Sequence, residues 1–215
     1  MPLAEIFVVH VVKWFMDNRT AVLIDGAYLG IVSKQFPGPD GKPPKLDFVK
    51  LTDSLVARIP VPSGAWRWRT YFYDSDPREV TNPTPAQRQA NNGKKDFLKR
   101  LEGFARFQVR RGKLELRGQN EDGSQKFEQK RVDVMLAVDM VRLAFEEHVE
   151  FIILVAGDSD FVPAIEAARA AGVTVILYYG GPTKDGFRQT HDELRLACDE
   201  SVQIDRSLIE ANMRT

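Results

Sequence analysis

Two carboxylates, Asp158 and Asp160, stand one residue apart just past the apolar run "FIILVAG" at 151–157. A continuous apolar run of strand length is typical of a parallel strand covered on both faces. Acids gathered at the end of such a strand repel one another, and each raises its neighbour's pKa. A fold tolerates that when a cation sits among them. Asp25 ends a second short run, "AVLID", and Asp133 stands in the first turn of the helical stretch "RVDVMLAVDMVRLAF". In an open parallel sheet, ligands bind at the carboxyl ends of the strands, where strand order reverses. If the two strands are neighbours at that point, and the helix starts at the same edge, four acids from three segments converge. Oxygen ligands without thiolate or imidazole suit Mg²⁺ or Mn²⁺. Such a centre activates water and steadies the charge on a phosphoryl group in transfer. Asp25, Asp133, Asp158 and Asp160 are therefore expected as metal ligands and catalytic acids.

Each acid also has a plainer reading. Asp25 before Gly26 suits a turn, and Asp160 and Asp133 are placed to cap helices. Asp158, one position beyond its strand, has no such structural explanation. Asp139 lies about 9 Å further along the helix of Asp133, at 1.5 Å per residue. It interrupts a nearly all-apolar helix, and a buried charge needs a partner. Arg142, water or the outer shell of the metal centre could supply one.

The elements that must position these residues can be read from periodicity and breakers. Strands are expected at 21–25, 66–74, 105–118 (one or two), 150–156, 173–179 and 201–204. Helices are expected at 47–59, 95–104, 131–145, 162–172 and 190–198, the last opened by a capping box from Thr190 to Glu193. The 131–145 helix is apolar nearly all round and should be buried. Residues 75–95 read as a polar loop and 119–125 as a turn. Strands alternating with helices argue for a three-layer α/β/α, Rossmann-like fold with a mainly parallel sheet. Residues 1–19 read as an N-terminal extension of unknown role and 20–215 as a single domain.

The 215-residue chain carries 30 basic and 30 acidic side chains, so net charge names no partner. Their distribution is uneven. Residues 88–131 hold 13 basic and 6 acidic side chains, and residues 132–215 hold 7 and 15. A basic middle suits a polyanion, and an acidic end suits cations. Arg110 and Arg111 lie in the basic segment, and Lys130 and Arg131 stand beside Asp133, placed either to bind phosphate or simply to be solvated. Trp66, Arg67, Trp68 and Arg69 alternate as a strand would, with the rings toward the core and Arg67 and Arg69 on the other face. The Gly180–Gly181 pair could let backbone approach a phosphate. His10, His148 and His191 are scattered and take no role. Cys198 is the only cysteine, so no internal disulfide forms, which fits a reducing, cytoplasmic setting. The apolar run "IFVVHVV" at 6–12 is too short to span a bilayer, which takes about 20 residues, and it lacks the flanks of a signal peptide.

Three blocks, "LIDGAYL" at 23–29, "KRVDVMLAVD" at 130–139 and "VAGDSDFVPAI" at 155–165, resemble the signature blocks of the NYN domain in its LabA-like branch. The intervening "YFYD" and "FQVRRGKL" are also similar to strands of that family, and the likeness spans roughly residues 20–205. NYN domains resemble PIN-like nucleases. The resemblance implies a PIN-like fold, cleavage of RNA with Mg²⁺ or Mn²⁺, and the family's acids at Asp25, Asp133, Asp158 and Asp160, with Asp139 matching a further common acid. Tyr28 stands where the family often has Asn, and Ala156 where it often has Ser. The expected partner is RNA, single-stranded, with no membrane, and the oligomeric state stays open, a homodimer included.

Two other classes compete. One is a non-catalytic RNA-binding or regulatory module that keeps the fold. The other is a phosphoryl-transfer protein of a different α/β family. Haloacid-dehalogenase-type phosphatases want Asp-x-Asp after the first strand, where this chain has Asp25-Gly26-Ala27. Response-regulator receivers want a late Lys and a phosphorylatable Asp after a middle strand, which the twin acids do not match.

Overall fold

The computed structural model describes residues 18–77, 82–119, 125–183 and 190–214. The apolar run at 6–12, His10 and most of the 119–125 turn lie outside them. Seven strands form one sheet: β1 (Arg19–Asp25), β2 (Trp66–Ser75), β3 (Phe107–Gln119), β4 (Gln125–Lys130), β5 (Phe151–Val155), β6 (Thr174–Gly180) and β7 (Glu200–Ile204). Their order is β4-β3-β2-β1-β5-β6-β7. Only the β3–β4 pair is antiparallel. From β1 the chain winds outward one way through β2 and β3, and later the other way from β5 to β7. The order therefore reverses between β1 and β5, as expected.

Helices cover both faces, as a sheet buried on two sides requires. They are α1 (Gly26–Ser33), α2 (Phe48–Val56), α3 (Pro85–Glu102), α4 (Val132–Phe145), α5 (Val162–Ala170), α6 (Asp192–Ala197) and α7 (Arg206–Ala211). The strict alternation of a strand divides the core. Ala21 and Leu23 of β1 meet Leu136 and Met140 of α4, Ile165 of α5 and Leu194 of α6. Val22 and Ile24 meet Leu29 of α1, Leu51 of α2, Leu98 of α3 and Leu208 of α7. Tyr71, Phe72 and Tyr73 of β2 are buried on alternate faces and bring large rings to both halves. The result is the three-layer α/β/α, Rossmann-like fold. Among the described residues, no helix is long and apolar enough to cross a membrane.

Four local expectations fail, each for a physical reason. The polar stretch taken as loop is half helix. α3 begins at Pro85, where Thr84 accepts from the Gln87 N–H, and the Gln87 side chain accepts from the Thr84 N–H. That capping box, with proline in the first turn, nucleates a helix that composition alone reads as loop. α4 is not buried all round: Val134, Val138 and Phe145 are more than half exposed on its outer face, while Leu136, Met140 and Leu143 are fully buried on the inner one. A β-bulge interrupts β2 where Thr20 pairs with Arg67 but Ala21 pairs with Arg69. One extra residue reverses side-chain direction, so Arg67 reaches Asp53 and the Phe107 ring while Arg69 stacks over Trp68. The two arginines do not share a face, and Trp66 is 38% exposed beneath Arg106. Finally, the Thr190 hydroxyl turns inward to Tyr28, so His191 occupies the N-cap of α6 and no capping box forms.

Candidate active site at the carboxyl edge of the sheet

β1, β2 and β5 are neighbours, and each delivers an acid to the same edge. Asp25 is the last residue of β1 and the N-cap of α1, its Oδ1 accepting from the Tyr28 N–H at 3.0 Å. Asp74 stands one position from the end of β2, only 3% exposed. Asp158 and Asp160 follow β5. Asp133 enters from the first turn of α4, which starts at this edge. The capping role foreseen for Asp160 belongs to Asp158, whose Oδ1 accepts from the Asp160 N–H at 3.0 Å at the head of the short 3-10 turn Ser159–Phe161. Asp158 therefore does have a structural task, and Asp160 is the one left exposed to solvent without it.

Electrostatics ties the row together. Burial pushes the Asp25 carboxyl up to about 6, with further elevation from Asp133 and Asp74, against the opposing backbone N–H of Tyr28. Asp133 is raised as well, first by burial and then by Asp158 and Asp160. A chain of carboxylates, each felt by the next, thus runs along the edge where strand order reverses. Asp74 escaped the sequence reading, although "YFYD" ends a strand in an acid just as "VLID" does. Its partner Lys94 pairs with Oδ2, and the Ser75 N–H donates to Oδ1 at 2.8 Å. Lys94 was hidden in the stretch taken as loop. Gly26 is required at this spot: a Cβ there would lie 2.5 Å from the Phe72 ring and 3.0 Å from Asp74 Oδ2.

The donor chemistry of the row fits a hard cation, since it offers carboxylate oxygen. Among the described residues no three His, Cys, Asp or Glu side chains are grouped to hold one ion. Capping holds Asp158 to its own turn, and Lys94 holds Asp74. The open arrangement fits the habit of Mg²⁺, which takes one or two carboxylates and fills its shell with water and substrate phosphate oxygens.

The remaining site residues fall elsewhere. Of the partners open to Asp139, the structure realises arginine. Arg110 Nε donates to Oδ2 at 2.8 Å, Arg142 donates to Oδ1 at 3.3 Å, and the Tyr73 hydroxyl donates to Oδ2 at 3.0 Å. Both carboxylate oxygens are engaged, so Asp139 locks α4 to β2 and β3. Burial, reinforced by the same carboxylate, holds the Tyr73 phenol well above its ordinary range. Arg111 is divided between Asp76 at 3.1 Å and Glu102 at 2.8 Å. Arg67 pairs with Asp53 at 2.6 Å. It lies six residues before Tyr73, the partner of Asp25 in the sheet, about 20 Å away at 3.3 Å per residue. Arg69 sits at that same distant end. Arg131 is different: it is exposed, and it precedes α4 with a left-handed backbone, φ 75°. The backbone of Lys130 pairs with Lys113 across β3–β4, and its side chain lies outside the described structure.

Tyr28 crosses the crevice. Its hydroxyl accepts from the Gly180 N–H at 2.7 Å and meets Thr190 Oγ1 at 2.5 Å. The backbone donor that the Gly180–Gly181 pair could have offered a phosphate is thereby occupied. Tyr28 stitches α1 to the end of β6 and closes the crevice on that side.

No solved structure matches the chain. An uncharacterized protein of Methanocaldococcus jannaschii is 34% identical over 79 residues, which is 37% of this chain. The chain spans about a third of that relative's length, 33%. The model of the NYN domain matches residues 19–205. That match opens with β1, closes with β7 and takes in every acid of the row, and on it the chain belongs to the NYN domain family, a family of PIN-like nuclease domains.

Proposed function

We propose that this protein is a metal-dependent ribonuclease of the LabA-like branch that hydrolyses phosphodiester bonds of single-stranded RNA, with Mg²⁺ or Mn²⁺ held chiefly by Asp25 and Asp133. The observation that carries the reading is the row of carboxylates at the reversal of strand order, in which burial and neighbouring acids raise Asp133 and push Asp25 up to about 6. Carboxylates placed so that they repel are costly unless a cation joins them. When bound, the metal supplies an activated water and neutralises charge on the phosphoryl group. The chain's own residues do the rest. Asp25, fixed by the Tyr28 N–H, presents a rigid oxygen at the end of β1. Asp133 presents another from α4. Asp158 and Asp160, exposed beyond β5, face the solvent side, where a water can be oriented and a proton accepted. Arg131, exposed next to Asp133, and Lys130 before it hold the strand by its phosphates. Arg110, Arg111 and Arg67 are drawn into internal ion pairs and give the RNA less. The lone thiol, Cys198, is buried and pushed up to about 12, inert in the reducing cytoplasm where we place the protein.

The test is incubation of pure protein with end-labelled single-stranded RNA in Mn²⁺, Mg²⁺ or EDTA. Cleavage in metal, none in EDTA, and a loss of 100-fold or more in Asp25→Asn and Asp133→Asn are expected, on the order of the several kcal/mol a ligand to a catalytic metal supplies. Binding without cleavage would leave the non-catalytic RNA-binding module instead.

A further inference from the structure

On the α2–α3 side of the acidic row the structure holds a cleft of about 510 Å³. Its inner end is built by Gly26, Phe72, Asp74 and Lys94, the residues that flank Asp25. The volume is that of an ordinary small-ligand site. The floor is aromatic. Phe48, Phe72 and Phe97 form a triangle of rings, with centroids 5.4 to 5.7 Å apart. Phe48 and Phe72 are buried, while Phe97 is only partly covered and keeps surface toward the cleft. The rim is cationic. Lys45, Arg100 and Arg214 line it, all exposed, and none has an ion-pair partner among the described residues. Asp74 is the sole acid among the described lining residues, and Lys94 already neutralises it. Arg100 and Arg214 also line a neighbouring hollow that contains Lys50, so the basic path continues away from the acids.

A ring surface walled by unpaired cations suits a planar base carrying phosphates, because stacking is available to every base and the cations take the backbone. We propose that the cleft receives one unstacked nucleotide of a single-stranded RNA, its base against Phe97 and its phosphates among Lys45, Arg100 and Arg214, beside the bond placed at Asp25 and Asp133. This rests on the nuclease reading for what lies next door, but not for the cleft itself. It makes the cleft the element that chooses where the strand is cut.

Gly30 provides a clean test. It lines the cleft from α1, and a Cβ added there meets nothing within 4 Å. A side chain built out from that position starts in open space beside the cleft. The experiment measures binding of fluorescein-labelled ribohexamers (A6, C6 and U6) in EDTA to the full chain, to Gly30→Ala and to Gly30→Phe. Thermal melts accompany it. Gly30→Ala should bind as the parent does. Gly30→Phe should melt no lower yet bind roughly 5- to 100-fold more weakly, the loss expected for one stacked base. Nucleoside monophosphates should displace the hexamer at lower concentration than inorganic phosphate does. Unchanged binding by a folded Gly30→Phe, or no binding by the parent, overturns the proposal. Equal competition by phosphate means the site reads charge alone, and also overturns it. Should Gly30→Phe fold poorly, Arg100→Ala with Arg214→Ala takes its place, and unchanged affinity there is equally fatal. The nuclease reading fails separately. A protein whose hexamer binding depends on Gly30, but which never cuts RNA in Mn²⁺, keeps the nucleotide cleft and loses the catalytic assignment.

Discussion

Asp25 concentrates the tension of the site in one side chain. Its carboxyl is half-buried and titrates at about 6, above the ordinary 3.8. A raised acid binds its proton more tightly in the folded chain than in the unfolded one. Stability from this group is therefore full below about pH 4 and declines as pH rises through 6, by about 3 kcal/mol at most, at 1.36 kcal/mol per pH unit of displacement. Asn in its place keeps an oxygen for the Tyr28 N–H, as caps accept Asn as well as Asp, and carries no charge. Asp25→Asn in EDTA should thus unfold at higher denaturant than the parent at pH 7 and match it at pH 4. Mn²⁺ should close most of that gap at neutral pH, since a ligand at a hundredfold excess over its Kd adds about 2.7 kcal/mol to the form that binds it. A parent and a mutant with parallel pH–stability curves in EDTA would show that the Asp25 charge is not strained.

Arg131 carries tension of another kind. A left-handed backbone costs a non-glycine residue about 1–2 kcal/mol, and the Arg131 side chain makes no capping hydrogen bond among the described residues to offset that. Arg131→Gly should stabilise the protein by about 1 kcal/mol and weaken RNA binding. Such a trade is expected where function retains a strained residue. Urea melts and a binding titration check the two halves. A destabilised Arg131→Gly would mean that the arginine is held by contacts of its own. These two residues also show what a sequence can reveal. The positions of Asp25, Asp133 and Asp158 were legible because strand ends and helix starts follow from periodicity. Their division of labour was not, because a cap and a ligand use the same oxygen atoms. Asp74 and Asp139 differ only in which cation reaches them, and that is a matter of three-dimensional packing.

At the scale of elements, α4 is the helix whose apolar composition misled most. Its inner residues fill the core between β1 and α5, whereas Val134, Val138 and Phe145 form an outer stripe. Val138→Lys should change stability by less than about 0.5 kcal/mol. Leu136→Ala, deleting a fully buried side chain, should cost about 2–5 kcal/mol. Chemical denaturation measures both. A large loss in Val138→Lys would mean that the outer face is covered in solution. The buried strands were legible because continuous apolar runs bounded by breakers admit little else. The first half of α3 was not, since its polar composition is equally that of a loop, and only the reciprocal bonds of Thr84 and Gln87 decide it. The β2 bulge left no mark in the alternation of Trp and Arg, because register depends on the neighbouring strand.

For the whole molecule, the question is which of its 30 cations meet the RNA. Local charge counts point to residues 88–131, but counts ignore pairing. Arg110 is engaged with Asp139, and Arg111 with Asp76 and Glu102. An arginine already neutralised by a carboxylate gains little from a phosphate and releases few counterions. Arg100 and Arg214 have no such partner among the described residues and stand on the rim that leads away from the acidic row. Each phosphate neutralised on a single strand contributes about −0.7 to the slope of log affinity against log salt. Arg100→Ala with Arg214→Ala should therefore flatten that slope by about 1.4 with little change in melting temperature. Arg110→Gln with Arg111→Gln should do the reverse. The slope should hold, and stability should fall by about 2 kcal/mol, less than the 3–5 of a fully buried broken pair because Arg110 is partly exposed. Salt titrations of RNA binding, paired with thermal melts of the two double mutants, separate the outcomes. If the Arg110/Arg111 pair flattens the slope and leaves the melt untouched, those side chains leave their carboxylates for the RNA, and the binding path runs over β3 rather than across the cleft.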